Sequence, residues 1–110
     1  MRVLKFKVSG QIITLDSGCD FTGLIPGTEG YLVAEFNFSP EWNGCAKVAA
    51  FYSPLGREYP PQVLKDGMRC IIPEEALKKN TFKVQVLGEN KSKDFKLVTN
   101  KVQVRQNGGN

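Results

Sequence analysis

Hydrophobic and polar residues alternate with a period of two along most of this chain. Leu4, Phe6 and Val8 are separated by Lys5 and Lys7, which predicts a strand with one buried face. Ser9-Gly10 offers a turn into Gln11–Leu15, a run that can pair back as a hairpin. Asp16–Gly30 holds four glycines, a proline and small polar residues, and reads as a long connection with a short strand near Phe21–Ile25. Tyr31–Phe38 is the clearest strand. Leu32, Ala34, Phe36 and Phe38 fall on one side, Glu35 and Asn37 on the other.

Ser39-Pro40 breaks that strand and Asn43-Gly44 makes the next turn. Cys45–Tyr52 is apolar on both faces apart from Lys47, as a central strand would be. After the turn Ser53–Gly56, the extended stretch Arg57–Leu64 is confined to an edge or bulge, because Pro60 and Pro61 have no N–H to donate. Asp66-Gly67 turns the chain into Arg69–Ile72. One helical turn is predicted over Pro73–Lys79, with Pro73 first, Glu74 and Glu75 at its start, and Lys78 and Lys79 at its end. Asn80, in a left-handed conformation, would stop it. Thr81–Leu87 is a strand with Phe82, Val84 and Val86 inward, and Gly88–Lys93 a polar hairpin loop. Phe95–Val98 and Val102–Val104 complete seven to nine short strands, before a flexible tail at Asn107–Asn110. Turn signals every ~8–12 residues with almost no helix predict a β-sandwich or barrel.

The 110 residues suit one domain, here 1–106, with 107–110 as the tail. No apolar run approaches the ~20 residues that span a bilayer, so no membrane partner is expected. MRVLKFKVSG alternates where a signal peptide has a continuous apolar block, so synthesis and folding in a cytoplasm are expected. Cys19, Cys45 and Cys70 are odd in number and form no CxxC pair, which favours reduced, semi-buried thiols over a Cys45–Cys70 bridge. The net charge of +4 is uneven: residues 78–110 carry eight Lys/Arg against Glu89 and Asp94. Such an asymmetry can attract an acidic partner, although exposed strands use lysine as ordinary polar cover.

Candidate chemistry narrows the picture by what is missing. The chain has no histidine, which removes the commonest general base and the commonest zinc ligand. Nucleotide-cradling glycine motifs and calcium-loop spacing are absent, so no catalytic residue, metal or cofactor is assigned. The adjacent carboxylates Glu74-Glu75 have a structural role at a helix start. Phe82 and Phe95 fall in the inward phase of their strands, which argues against an exposed stacking platform for nucleic acid.

Four segments occur with a distinctive spacing: MRVLKFKVSGQIITLDSG, YLVAEFNFSPEWNGCAKVAAFY, DGMRCIIPEEAL and TFKVQVLGENKSKDFKLVTNKVQV. The most specific are Phe36–Phe51, read F-x-F-S-P-E-W-x-G-x-x-K-x-A-x-F, and Asp66–Leu77. Together they resemble the small immunoglobulin-like domains of phage tail, baseplate and fibre proteins, such as the N-terminal part of upper baseplate proteins of phages of Gram-positive bacteria. The resemblance implies an all-β, antiparallel immunoglobulin-like sandwich with one short helical turn. It also implies a non-enzymatic virion component that contacts other virion proteins, with homo-oligomerisation open. Phe36, Phe38, Pro40, Trp42, Asn43, Gly44, Phe51, Asp66, Gly67 and Pro73 are its structural motif. Trp42 suits a cap on the end of the core better than a sugar-stacking platform. Two alternatives stand beside this reading. One is an adhesion module for host glycans, using Tyr31 or Tyr59 in preference to Tyr52. The other is a small inhibitor of a host defence protein. Tyr31, Tyr59, Lys91, Lys93, Lys96 and Lys101 are the candidate partner-facing residues.

Overall fold

Leu4, Phe6 and Val8 are buried and Lys5 and Lys7 exposed, so the first strand, β1 (Arg2–Ser9), obeys its period. A computed structural model, which describes residues 1–107, extends that logic through eight more strands. These are β2 (Ile12–Leu15), β3 (Leu32–Phe38), β4 (Ala46–Tyr52), β5 (Gln62–Val63), β6 (Arg69–Ile71), β7 (Thr81–Asn90), β8 (Phe95–Val98) and β9 (Val102–Arg105). They form an all-β sandwich. One sheet has the order β2-β1-β3-β6; in the other, β5-β4-β7 is completed by β8 and β9, both paired with β7. The core between them is built from alternate residues of both sheets, including Phe6, Phe36, Phe51, Phe82, Val84, Val86 and Val104.

Among the described residues all strand pairings are antiparallel except one: β3 runs parallel to β1, from Arg2 opposite Leu32 to Val8 opposite Phe38. The long connection after β2 makes this possible, since parallel neighbours need a crossover of a dozen or more residues. That connection contains no strand at Phe21–Ile25. Its glycines offer no side chains to a ladder, and tertiary contacts hold it instead. Phe21 meets Phe6 edge-on at 5.7 Å, Leu24 is buried, and the Arg2 guanidinium donates to the carbonyls of Asp20 and Thr22 at 2.9 and 2.6 Å.

Further boundaries differ from expectation. The helical turn is 3-10 and covers Glu74–Lys78; Pro73 precedes it in an extended conformation (φ −62, ψ 140). The turn ends not at a left-handed Asn80 but because Lys79 (φ −107, ψ 164) is already extended into β7. A second 3-10 turn, at Pro40–Trp42, follows β3. β7 continues through Gly88 to Asn90, so the hairpin loop is Lys91–Asp94. The buried Asn90 Oδ1 accepts from Ser92 Oγ and the Lys93 N–H at 2.9 and 3.0 Å. Asn107 is tied down by its N–H to the Leu24 carbonyl at 2.7 Å, and the rest of the expected tail lies outside the described residues.

β8 and β9 are one strand interrupted by a β-bulge. Leu87 opposes Val98 and Val84 opposes Val102, so three residues, Thr99–Lys101, face two, Gln85 and Val86. The extra residue reverses the facing of the strand. Val98 therefore points outward while Val102 packs against the core. At the bulge, Asn100 stitches the sheets together: its Oδ1 accepts from the Ile13 N–H at 2.7 Å and its Nδ2 donates to the Ile13 carbonyl at 3.3 Å.

The three cysteines are unbridged. Cys70 lies in β6 opposite Ala34, whereas Cys45 immediately precedes β4 in the other sheet. Burial pushes the Cys70 thiol up to about 12. Cys19 is half-buried, its sulfur accepting from the Lys5 N–H at 3.3 Å. Alkylation of the native protein at mildly alkaline pH should therefore label Cys19 first and leave Cys70 intact until unfolding. Peptide mapping by mass spectrometry reads the order directly; equal labelling of Cys70 and Cys19 would contradict it.

Candidate functional site

The motif residues account for themselves structurally. Phe36 stacks on Phe6 at 5.2 Å, and Phe38 tilts against Trp42 at 5.1 Å. Pro40 opens the 3-10 turn, and this turn swings Trp42 over the end of the core, where it is 0% exposed. Its Nε1–H donates to the Gly10 carbonyl at 2.8 Å, so the indole joins the β1–β2 hairpin to the start of β4. Asn43 (φ −62, ψ 133) and Gly44 (φ 81) form a type II turn closed by the Cys45 N–H on the Trp42 carbonyl; only glycine takes its third position without strain. Asp66 and Gly67, both left-handed, turn the chain into β6. Phe51 is buried against Phe82, and Pro73 leads into the second 3-10 turn.

The candidate partner-facing residues do not form one patch. Tyr31 is 50% exposed beside β3, but Tyr59 is half-buried and packed on the core, and Tyr52 is buried. The tyrosines thus supply no pair of exposed rings for a sugar. Tyr52 Oη donates to Gln85 Oε1 at 2.7 Å, and Gln85 Nε2 donates to the Thr99 carbonyl at 2.7 Å. Burial first, and the Glu58 carboxylate second, raise the Tyr52 phenol above its usual range, so it stays a donor. The Lys101 amine sits 3.9 Å above the Tyr52 ring. Lys91 and Lys93 lie in the β7–β8 loop, while Lys96 projects from β8. Phe95 keeps the inward phase of its strand, opposite the buried Asn90, but is only half-buried and lies outside the core cluster that holds Phe82. The Glu74 carboxyl is raised by a hydrogen bond with the Glu29 carboxyl and by its charge.

What the strand pattern alone did not reveal is an apolar row on the outside of the second sheet. The register places Val63 of β5 beside Val48 of β4, Val48 beside Leu87 of β7, and Leu87 beside Val98 of β8. Val63 is 76% exposed and Val98 42% exposed. The row crosses four strands, about 14 Å at the usual spacing. At the β5 end it reaches a groove of about 310 Å³ in which Val33, Val63 and Ile71 are interspersed with Gln62, Lys65 and Arg69. Each member belongs to an ordinary alternating or apolar stretch; only pairing brings the four into line. Compared with family models, curated proteins and solved structures, the chain matches none.

Proposed function

We propose that this chain is a non-enzymatic structural module of a bacteriophage virion, placed in a tail, baseplate or fibre or decorating a capsid, and acting through contacts with other virion proteins. The observation that carries the protein-contact part is the row Val63–Val48–Leu87–Val98. A solvated sheet face normally alternates polar residues outward, and a contiguous apolar stripe with polar margins marks a surface that is covered in use. The resemblance of Phe36–Phe51 and Asp66–Leu77 to phage immunoglobulin-like domains supplies the setting. Mass spectrometry of gradient-purified particles should find the protein at a copy number matching a tail or capsid symmetry. A Leu87→Glu variant should fold, since the side chain lies on the outer face, yet be lost from the particles. Occurrence only in infected-cell cytosol would replace this reading with an intracellular, host-directed one.

A further inference from the structure

The outer face of the sheet β2-β1-β3-β6 carries a different pattern. Its middle row runs Asp16, Lys5, Glu35, Arg69, because Lys5 pairs with Glu35, Glu35 with Arg69, and the Asp16 N–H bonds the Lys5 carbonyl. These four side chains line one shallow groove of about 320 Å³, and their charges alternate minus, plus, minus, plus. The next row is apolar: Val3, Val33 and Ile71, the last 40% exposed. Beyond it stand the exposed Met1 and Tyr31. On the other side of the charged row lie Thr14, Lys7 and Asn37.

A twofold axis parallel to the strands, passing between β1 and β3, reverses the order of the strands and keeps each row on itself. Asp16 then faces Arg69 of a second copy and Lys5 faces its Glu35. Val3 faces Val33 and Val33 faces Val3, Met1 faces Tyr31, and Lys7 faces Asn37. No like charges are opposed, and the apolar rows coincide, as a self-complementary interface requires. The outer face of the other sheet lacks this property: Lys83, Lys96, Lys101 and Arg105 outnumber Glu58 and Glu89 there, so a second copy would meet an excess of its own positive charge. We propose that the face β2-β1-β3-β6 is the interface of a symmetric homodimer, with a second copy of this chain as its occupant. The proposal does not rest on the virion reading.

Four strands about 4.8 Å apart and eight residues of about 3.3 Å give a footprint near 500 Å². That is below the ~800 Å² per partner of a stable complex, so the dimer is weak and concentration-dependent. Sedimentation equilibrium of the full chain should show 12.2 kDa monomers converting to dimers as concentration rises through roughly 10–500 μM. Lys5→Glu alone places carboxylate on carboxylate, and Glu35→Lys alone places ammonium on ammonium. Each should weaken self-association at least ~10-fold. Mixed in equal amounts, the two variants should form a heterodimer, because both crossed pairs are then opposite in charge. That recovery also shows that both variants are folded. Val98→Lys, on the other sheet, should leave the dimer unchanged. A wild type monomeric throughout, a mixture that does not associate, or loss of the dimer in Val98→Lys would each overturn the proposal.

Discussion

Replacing Trp42 with alanine is expected to cost ~3–5 kcal/mol of folding stability, the range for a large aromatic truncated in a core that cannot collapse around it. The indole is fully buried at the end of the sandwich, and three different elements depend on it. Phe38 loses its ring partner, the Gly10 carbonyl loses its donor, and the inner surface of β7 at Gly88 loses its cover. An acceptor left without a partner adds its own desolvation cost to the cavity. Domains of this size are often stable by only ~5–15 kcal/mol, so the variant should melt many degrees lower. Denaturant titration of wild type and variant measures the difference. The wild-type emission, from the single tryptophan, should be blue-shifted. An unchanged midpoint with water-like emission would refute the assignment.

The second large effect comes from the opposite change, adding atoms at Gly88. A Cβ there would lie 2.7 Å from Trp42 Cζ3 and 2.9 Å from Cε3, closer than real side-chain contacts allow. The ring cannot simply retreat, because its N–H is held by Gly10 and its face by Phe38. Gly88→Ala should therefore cost ~2–3 kcal/mol as overpacking, and Gly88→Val more. The two sites are coupled through one contact, so their effects should not add. In a Trp42→Ala background the cost of Gly88→Ala should fall below ~1 kcal/mol. Full additivity in this double-mutant cycle would show that Gly88 is needed for some reason other than the indole.

Gly88 also illustrates where reading the chain by itself stops. By composition Gly88 begins a polar loop with Glu89 and Asn90, yet β7 runs straight through all three. The strand propensity there is weak, and pairing with β4 and β8 overrides it. Asp16–Gly30 shows the same limit in reverse. Phe21 and Leu24 look like strand residues, but they act as single apolar anchors that pin a glycine-rich crossover onto the core. Phe95 follows the alternation of its strand but lies near its end, where the core no longer reaches.

The period of two, the turn residues and the two proline breaks determined an all-β chain folded as a sandwich or barrel, most of its strands, and the buried faces of β1, β3 and β7. Those are local properties: alternation selects a face, and Gly, Asn, Asp and Pro select where the chain turns. Tertiary structure alone decided that β3 runs parallel to β1, that a one-residue bulge at Thr99–Lys101 turns Val98 outward, and which residues share a row across each sheet. Register depends on partners far apart in sequence, and shifting it by one residue exchanges the two faces of a strand. The apolar row Val63–Val48–Leu87–Val98 and the charged row Asp16–Lys5–Glu35–Arg69 are both products of register, which is why neither is legible in the chain read alone.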